Sequence, residues 1–440
     1  MLLAILLASC GDTGNEPPAE CVDNVCPCSE GGIRAAIAEG LGAYTFDCEG
    51  PTTVTTRSEI VIENDVTLDG DGLLTLDANQ RHRVFSVPRD VVAELVGFTV
   101  VNGRQTEEHG GGIRNEGTLT LADSAVAGCS AGRDSGCRTD DPQLLCSEGG
   151  GIWNAGTLTL TRTTVSSSAA HFGGGIANRG GSVALVDSSV SASSAAGCRG
   201  AAAVVCSGGG GIWNSGALTM ANSTVSGCTA DWGGGIYSRG APTLTNSTIA
   251  GNSAGFDGGG LLSFETLIVV ESTVADNTAG QSGGGIANPA GTLEVTGSTL
   301  SGNTAAAAGG GMYNPAGARA DLLNVTVSGN VADRGGGIYT GGALTLTSST
   351  VAANAAPTAS AIYDPGTSGE TPRSITSTLI EGECDGSPFD SGGYNLASTS
   401  NTCWFDQDTD RVATEAQLNL GPLDDNGGPT MTNAPGAAEF

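Results

Sequence analysis

Short runs in which apolar residues alternate with Thr or Ser recur along this chain and are separated by glycine-rich turns. One clear copy reads Gly283-Gly-Gly-Ile286, then Thr292-Leu-Glu-Val-Thr296, then Ser298-Thr-Leu-Ser301. The apolar residue that follows the glycines marks each copy, and these markers are Ile113, Ile152, Ile176, Ile212, Ile236, Leu261, Ile286, Met312, Ile338 and Ile362. From Ile212 onward the markers lie 24 to 26 residues apart. A repeat of this length indicates a solenoid.

Alternation with a period of two predicts β-strands, and the Gly, Asn and Ser interruptions predict turns. No copy contains a run of ten residues with helical spacing, which disfavours βαβ and leucine-rich architectures. We therefore predict an all-β, single-stranded right-handed parallel β-helix with three short strands per turn. Successive turns pair about 4.8 Å apart, so ten turns predict a rod of about 50 Å.

Each slot of the repeat has its own predicted task. The marker residue points into a narrow core, and the glycines before it allow positive φ and close packing. A second equivalent position of the repeat, here the asparagine slot, is predicted to form a ladder of asparagines that hydrogen-bond along the rod. This ladder is expected to be structural, not catalytic. Its members are Asn252, Asn277, Asn303, Asn330 and Asn354, and earlier turns hold Cys129, Ser168, Ser193 and Cys228 there.

The chain divides into four predicted segments. Residues 1–9 are an apolar lipoprotein-type signal, and residues 10–27 are a polar tether with clustered cysteines. The β-helix occupies residues 28–364 and begins with a helix that starts at Ser29, ends near Gly42 and buries Ile33, Ile37 and Leu41. This helix is predicted to cap the open end of the coil. Residues 365–440 lose the period and are predicted to form a C-terminal cap and tail.

The composition narrows the function. A formal net charge of −29 argues against nucleic acid as a partner and against binding an anionic membrane through charge. Leu7-Ala-Ser-Cys10 resembles a lipobox, which predicts cleavage before Cys10 and lipidation of its sulfur; a trimmed ordinary signal peptide is the alternative. Membrane contact is therefore expected only through a lipid anchor, and the protein is expected to be exported to the outer membrane or cell surface, or secreted.

The cysteine count supports export. Removing Cys10 from the thirteen cysteines leaves twelve, which suits disulfides in an oxidising compartment. Two matching insertions in the repeat, and one C-terminal loop, supply the disulfide candidates Cys137, Cys146, Cys198, Cys206, Cys384 and Cys403. The partners of Cys129 and Cys228 remain open. A zinc site is the rival interpretation, although no Cys-x2-Cys pair with a matching second pair is present, and no metal site is predicted.

Acidic and basic residues cluster in one region, where Asp69, Asp71, Asp77 and His82 would be the catalytic candidates if the protein were an enzyme. We interpret them as turn and loop residues. Calcium at Asp69-Gly-Asp-Gly72 is a possible cofactor, although the distal Glu of a helix-loop-helix calcium site is missing. No other cofactor is predicted.

The position after the marker should face outward and is rich in aromatic residues. Its aromatic members are Trp153, Trp213, Tyr237, Tyr313, Tyr339 and Tyr363. Such a line could stack sugar rings or bind a partner protein. The alternative is that these rings pack on one another or under the inserted loops.

Three segments carry a resemblance to a known family: Cys28-Ser29 with Arg34-Ala-Ala-Ile37, Leu68-Asp-Gly-Asp-Gly72, and the run from Leu420 to Thr432. They resemble bacterial right-handed β-helix proteins of the choice-of-anchor Q type. The Gly-Gly-Gly-Ile and Ser-Gly-Asn elements resemble the repeats of chlamydial polymorphic outer membrane proteins. The resemblance implies a surface or secreted protein and supplies no catalytic residues.

We therefore expect an exported, non-catalytic surface protein with a structural, adhesive or glycan-binding role. The alternatives are a polysaccharide lyase or glycoside hydrolase of β-helix architecture and a passive spacer without a specific ligand. The expected partner is a polysaccharide or another cell-surface protein, and the sequence does not determine the oligomeric state.

Overall fold

The computed structural model describes residues 20–132, 146–196, 207–366, 372–398, 402–414 and 418–435. Its organising feature is the alignment of the marker residues. Ile236 pairs with Leu261, Leu261 with Ile286, and Ile286 with Met312 in one parallel ladder. All four side chains are fully buried in a single core that runs the length of the coil. The predicted parallel β-helix is therefore confirmed.

Three parallel sheets form the walls of the coil in the described ranges. The sheet that carries the marker residues, here the marker sheet, has 13 strands. They are Ile60–Val61, Phe85–Val87, Ile113–Asn115, Ile152–Asn154, Ile176–Asn178, Ile212–Asn214, Ile236–Ser238, Leu261–Ser263, Ile286–Ala287, Met312–Asn314, Ile338–Thr340, Ile362–Tyr363 and Cys384–Asp385.

The broad sheet consists of two ladders that the long strands Val66–Asp77 and Val92–Val101 join. Its first ladder contains, besides those two, Val25–Pro27, Ala43–Asp47, Thr118–Ala122, Thr157–Thr161, Ser182–Val186, Ala217–Ala221, Pro242–Thr245, Leu267–Val270, Thr292–Thr296, Arg319–Leu323, Ala343–Thr347, Arg373–Thr376 and Asp390–Ser391. The second contains Thr52–Thr55, Ala125–Ala127, Thr164–Ser166, Ser189–Ser191, Thr224–Ser226, Thr248–Ala250, Thr273–Ala275, Thr299–Ser301, Thr326–Ser328, Thr350–Ala352, Leu379–Ile380, Leu396–Ser398 and Arg411–Ala413.

The narrow sheet closes the third side of the coil with strands of two residues. They are Arg104–Gln105, Ser130–Ala131, Ala169–Ala170, Ser194–Ala195, Thr229–Ala230, Ser253–Ala254, Thr278–Ala279 and Thr304–Ala305. A typical coil therefore has four short strands in three sheets, and the prediction of three strands per turn was wrong. The corner inside the broad sheet is tight because one residue there has positive φ, for example Asn246 at 47°. This single residue divides what the sequence pattern presents as one β-run.

The glycine triplets are required by the close approach of neighbouring coils. Gly283 has a φ of 67°, in the left-handed region that disfavours residues with a side chain. A Cβ atom on Gly285 would lie 2.6 Å from the carbonyl oxygen of Gly311 in the next coil. A side chain at either position would therefore strain the turn or separate the two coils.

Buried polar side chains form ladders that connect the coils. In the predicted asparagine slot, the backbone N–H of Asn252 donates to Asn277 Oδ1 (2.9 Å), and Asn252 Nδ2 donates to the same oxygen (3.0 Å). Asn277, Asn303 and Asn330 repeat this arrangement, and Asn354 is the last acceptor. These amides are therefore structural groups that satisfy buried backbone donors.

Two further ladders have no counterpart in the sequence-based prediction. Asparagines at the ends of marker strands donate to one another, as Asn154 Nδ2 does to Asn178 Oδ1 (2.9 Å). At the corner of the broad sheet, buried Ser and Thr hydroxyls accept the backbone N–H of the preceding coil. Ser272 Oγ, for example, accepts from Ser247 N (3.0 Å) and donates to Val270 O (2.7 Å).

The helix spans Glu30–Glu39 and covers the N-terminal end of the core. Ser29 caps it by accepting from Gly32 N, and its buried residues include Ile33 and Ile37. The predicted burial of Leu41 was wrong. Gly40 ends the helix with a φ of 58°, which turns the chain so that Leu41 is 89% exposed.

Disulfides lie at both ends of the described coil. Cys21 pairs with Cys26, Cys28 with Cys48, and Cys384 with Cys403. Cys146 is also disulfide-bonded, whereas Cys10, Cys137, Cys198 and Cys206 lie outside the described residues. Cys129 and Cys228 are buried free thiols in the asparagine slot, and burial raises the pKa of each to about 11.

The parallel ladders continue beyond Asp364, where the sequence period fades, as far as Arg411–Ala413. An antiparallel hairpin of Leu420–Asp424 and Thr432–Pro435 then lies against the outside of the broad sheet. Thr299 Oγ1 donates to the carbonyl oxygen of Met431 (2.6 Å), and Thr430 Oγ1 donates to that of Gly297 (3.2 Å).

Replacing Asn303 with Ala leaves the backbone N–H of Asn277 without its acceptor and takes one of two acceptors from Asn277 Nδ2. It also removes the donor to Val274 O and Asn330 Oδ1. We expect the free energy of unfolding to fall by about 3 kcal/mol, the cost of leaving such buried groups unpaired. Urea denaturation followed by circular dichroism measures it. Thr304→Ala, at the exposed next position, is the matched control and should change it by less than about 0.5 kcal/mol. Equal losses in both variants would contradict the assigned role of the ladder.

Candidate functional site

The outer face of the marker sheet collects the side chains that follow each marker residue. Alternation along the strand points these side chains away from the core. Parallel pairing then sets them in one row, with Trp153 beside Ala177, Ala177 beside Trp213, and Trp213 beside Tyr237. We call this row, with the loop residues that flank it, the outer marker face.

The two tryptophans of the outer marker face are covered, and each is only 8% exposed. The Trp153 ring stacks on His109 with 5.4 Å between ring centroids, and the Trp213 ring contacts Phe172 at 6.1 Å. Both indole rings therefore pack against neighbouring loop residues. The two tryptophans are therefore too covered to stack against a sugar ring. Among the predicted ligand-binding residues, only the tyrosines are accessible.

The tyrosines of the same row are partly exposed. Tyr237 packs on Phe264, with 5.6 Å between centroids. Tyr339 lies between Tyr313, at 4.9 Å, and Tyr363, at 5.5 Å. Burial raises the pKa of Tyr313 and Tyr339 above the ordinary value, so both phenols stay neutral at physiological pH. The stack therefore presents a line of ring edges along the rod, with neutral hydroxyl groups on Tyr313 and Tyr339.

Arginines flank the row, and every cation–π contact among the described residues lies on this face. The guanidinium carbon of Arg114 lies 5.5 Å from the Trp153 ring centroid, and that of Arg179 lies 5.6 Å from Trp213. Arg239 covers Tyr237 (5.7 Å) and Phe264 (5.9 Å). Arg334 covers Tyr363 at 5.9 Å. In a chain with a formal net charge of −29, this face is where positive charge and aromatic rings meet.

A pocket of about 270 Å³ lies at the N-terminal end of the outer marker face. Its charged lining residues are Glu59, Arg83, Glu108, Arg114 and Glu116. The Arg83 side chain is only 2% exposed and binds Glu59 Oε1 (2.7 Å) and Glu108 Oε2 (3.1 Å). The hydrogen bond from Arg83 lowers the pKa of Glu108, which keeps this carboxylate ionised.

A second polar cluster adjoins the pocket. Glu148, whose side chain is 5% exposed, accepts from Trp153 Nε1 (3.0 Å) and pairs with Arg179 (2.7 Å). Burial raises the pKa of Glu148, while Arg179 and the Trp153 hydrogen bond oppose that rise. The backbone N–H of Glu148 donates to His109 Nδ1 (3.2 Å). Burial, with Arg179 and Arg114 nearby, lowers the pKa of His109 to about 4.

The four catalytic candidates from the sequence do not form one site. Asp69 Oδ1 accepts from Asp71 N in the bend of a long strand, and Asp77 Oδ1 binds Asn79 N and Asn102 Nδ2 near its end. Asp69 and Asp77 lie on opposite sides of that bend. His82 bridges the carbonyl oxygens of Arg83 (2.7 Å) and Thr56 (3.0 Å). These contacts are those of turn residues.

The described residues contain no group of three or more His, Cys, Asp or Glu side chains arranged to hold a metal ion. The residues that sequence reasoning did not combine are Glu59, Glu116 and Glu148. Glu116 and Glu148 lie within four residues of the markers Ile113 and Ile152, and Glu59 directly precedes Ile60, which begins the first strand of the marker sheet. That signal becomes visible only when the coil register is known.

Comparison with family models supports the fold. Residues 151–351 match the model described as a right-handed beta helix region, which with the stack of coils defines a right-handed parallel β-helix. The comparisons with curated proteins and with solved structures gave no match. Within the described ranges, no helix has the length and apolarity needed to cross a lipid bilayer.

The lowered pKa of His109 makes stability depend on pH. Its ordinary pKa is 6.5 and its folded pKa is about 4, so between these values the unfolded chain takes up a proton that the folded protein does not. Stability should therefore fall as the pH drops from about 6.5 to about 4. Urea titrations at pH 7 and pH 4.5 measure this fall. It should be smaller in His109→Asn, in which the amide oxygen can replace Nδ1 as acceptor. An identical fall in both proteins would refute the assignment.

Proposed function

We propose that this protein is an exported, non-catalytic β-helix rod that binds a polysaccharide along its outer marker face at the cell surface. The supporting observation is the concentration of aromatic and arginine side chains on that one face. A repeating surface suits a repeating ligand, because each coil presents its side chains about 4.8 Å from the same slot of the next coil.

The stack of Tyr313, Tyr339 and Tyr363 supports the polysaccharide in particular. The rings present apolar surface, and their hydroxyl groups can both donate and accept hydrogen bonds, as sugar binding requires. Arg334 is exposed over the Tyr363 ring and adds donors to the stack, and Arg239 is exposed over Tyr237 of the same row. The outer marker face is thus amphipathic, as expected for a carbohydrate surface and unlike the Thr-rich outside of the broad sheet.

Export is supported by the disulfides, because such bonds persist in oxidising compartments. We further propose that Cys10 carries a lipid and that the chain is a relative of the choice-of-anchor Q proteins with repeats like those of polymorphic outer membrane proteins. The three resembling segments and Leu7-Ala-Ser-Cys10 support this proposal.

Replacing all three stacked tyrosines with Ala should reduce polysaccharide binding on a glycan array at least about tenfold, since several sugar contacts are lost together. Tyr394→Ala is the matched control, because Tyr394 is 71% exposed and lies outside the stack. Circular dichroism would verify that each variant is folded. Unchanged binding by the triple variant would contradict the proposed function.

A carbohydrate-active enzyme is the second candidate, because the pocket brings Glu59, Glu108 and Glu116 onto the same face and glycosidases act through paired carboxylates. Release of reducing ends or unsaturated products from any bound polysaccharide, with or without calcium, would favour this candidate. A protein that binds without turnover supports the first, and a protein that binds nothing would be a passive spacer.

Lipidation predicts that cells expressing the full chain incorporate labelled palmitate into it. Cys10→Ser should abolish the label and release the protein from the membrane fraction, because the sulfur that carries the lipid is absent. Cys129→Ser is the control, since that thiol is buried in the folded coil. Membrane association that survives Cys10→Ser would argue against the anchor.

A further inference from the structure

The run from Leu420 to Thr432 takes no part in the outer marker face. It forms most of the antiparallel hairpin of Leu420–Asp424 and Thr432–Pro435, which we call the C-terminal hairpin. Asn426 orders the turn of this hairpin, because its Nδ2 atom donates to the carbonyl oxygen of Thr432 (2.8 Å) and to the hydroxyl oxygen of the same residue (3.1 Å). The hairpin therefore has a defined turn.

Two hydrogen bonds fasten this turn to the second ladder of the broad sheet. Thr299 Oγ1 donates to the carbonyl oxygen of Met431 (2.6 Å), and Thr430 Oγ1 donates to that of Gly297 (3.2 Å). Each side of the contact supplies one threonine hydroxyl group as a donor. The bonded residues are 132 and 133 positions apart in the chain, so the contact is purely tertiary.

The C-terminal hairpin covers outward side chains that solvent reaches elsewhere in the same row. Thr299 is 0% exposed and Thr326 is 5% exposed, and the strand Thr432–Pro435 contacts Thr326–Ser328. The equivalent residues one coil before and one coil after this pair, Thr273 and Thr350, are partly exposed. The covered area is therefore limited to the coils on which the hairpin lies.

Docking of the hairpin joins two distant levels of the rod. The chain leaves the parallel stack at Arg411–Ala413 and returns through the hairpin to Thr299. The intervening strands of the second ladder are Thr326–Ser328, Thr350–Ala352, Leu379–Ile380 and Leu396–Ser398. A contact that closes a loop of the chain restricts the segment within that loop when it unfolds. The docked hairpin therefore stabilises the end coils, which run from Thr326 to Ala413.

The docked contact is limited in strength. Asn433 is 8% exposed, and its Oδ1 atom accepts no hydrogen bond from a described residue. A buried acceptor without a partner opposes docking. An isolated hairpin of two strands is only marginally stable in water, so the C-terminal hairpin depends on the sheet for its order. Elements of this kind open locally while the rest of the protein stays folded.

We propose that the C-terminal hairpin is a strap with a docked and a released state, and that docking at Thr299 holds the end coils closed. Thr299 and Thr430 are the residues that fasten it. In the released state, Thr299 and Thr326 become accessible to solvent, and the end coils open more often. The strap lies on the broad sheet and not on the outer marker face, so this inference does not depend on the proposed function.

Hydrogen–deuterium exchange of the full chain at neutral pH, followed by mass spectrometry, tests the proposal. Opening of the end coils is reported by the backbone amides of Leu379, Leu396 and Arg411, each of which donates to a carbonyl oxygen of the preceding coil. We expect the combined Thr299→Val and Thr430→Val variant to exchange these amides at least about tenfold faster than the wild type, because both hydrogen bonds that fasten the strap are lost.

The matched control combines Thr248→Val and Thr273→Val, which removes two hydroxyl groups from the partly exposed part of the same row. Its end coils should exchange within about twofold of the wild-type rate. The combined Thr299→Ser and Thr430→Ser variant keeps both donors and should also retain slow exchange. The amide of Ile286, which donates to Gly311 in the middle of the rod, should exchange slowly in every variant and thereby verifies folding.

Three results would overturn the proposal. If the combined Thr299→Val and Thr430→Val variant exchanges faster within the hairpin but not in the end coils, the hairpin opens without holding them. If it exchanges faster in neither, or if the control variant accelerates the end coils equally, docking at Thr299 does not set their opening. Exchange of the wild-type hairpin that is as slow as that of Ile286 would show that no released state is populated.

Discussion

Every coil of this protein must place its backbone in register with the next, because the hydrogen bonds that hold a coil run to its neighbours. The backbone N–H of Ile286 donates to the carbonyl oxygen of Gly311 one coil on, and Ile338 to Ala361 in the same manner. A residue that points inward must therefore fit against its own counterpart in the next coil. This constraint explains why the sequence repeats a small set of residue types.

The same constraint explains the buried polar ladders. A coil of about 25 residues has several tight corners, and each corner leaves backbone groups that no neighbouring strand satisfies. Asn277 and Ser272 satisfy such groups through hydrogen bonds that involve a side chain. These bonds connect each of the two residues to the equivalent residue of an adjacent coil. Because each member is satisfied only when the next coil is in place, stability is shared between neighbouring coils.

Side chains that point outward are not subject to this constraint, so the residue type can vary at those positions. On the outer marker face, Trp153, Ala177 and Trp213 occupy equivalent positions without disturbing the core. From the N-terminal coils to the C-terminal coils, the outer marker face changes from an ion-paired pocket to covered tryptophans and then to partly exposed tyrosines. The scaffold can therefore present different side chains along one axis while its core remains unchanged.

The helix and the N-terminal disulfides solve a separate problem at the first coil, which has no neighbour on one side. Ile33 and Ile37 cover core side chains that would otherwise meet water, and Cys28–Cys48 ties this cap to the coil. At the other end, Cys384–Cys403 secures the last coils, where the strands are shortest. The helix and the disulfides thus stabilise the two end coils, each of which lacks a neighbouring coil on one side.

Local sequence determined the coil, the inward marker slot, the glycine turns and the asparagine slot, because each depends on spacing within about 25 residues and on the backbone preferences of Gly and Asn. The burial of Trp153, the exposure of Leu41 and the meeting of Glu59 with Arg83 and Glu108 were decided only by the tertiary structure. These depend on which residues of different coils become neighbours, and on a single positive φ at Gly40. Alternation indicates that a side chain points outward, but only the packed loops decide whether another side chain covers it.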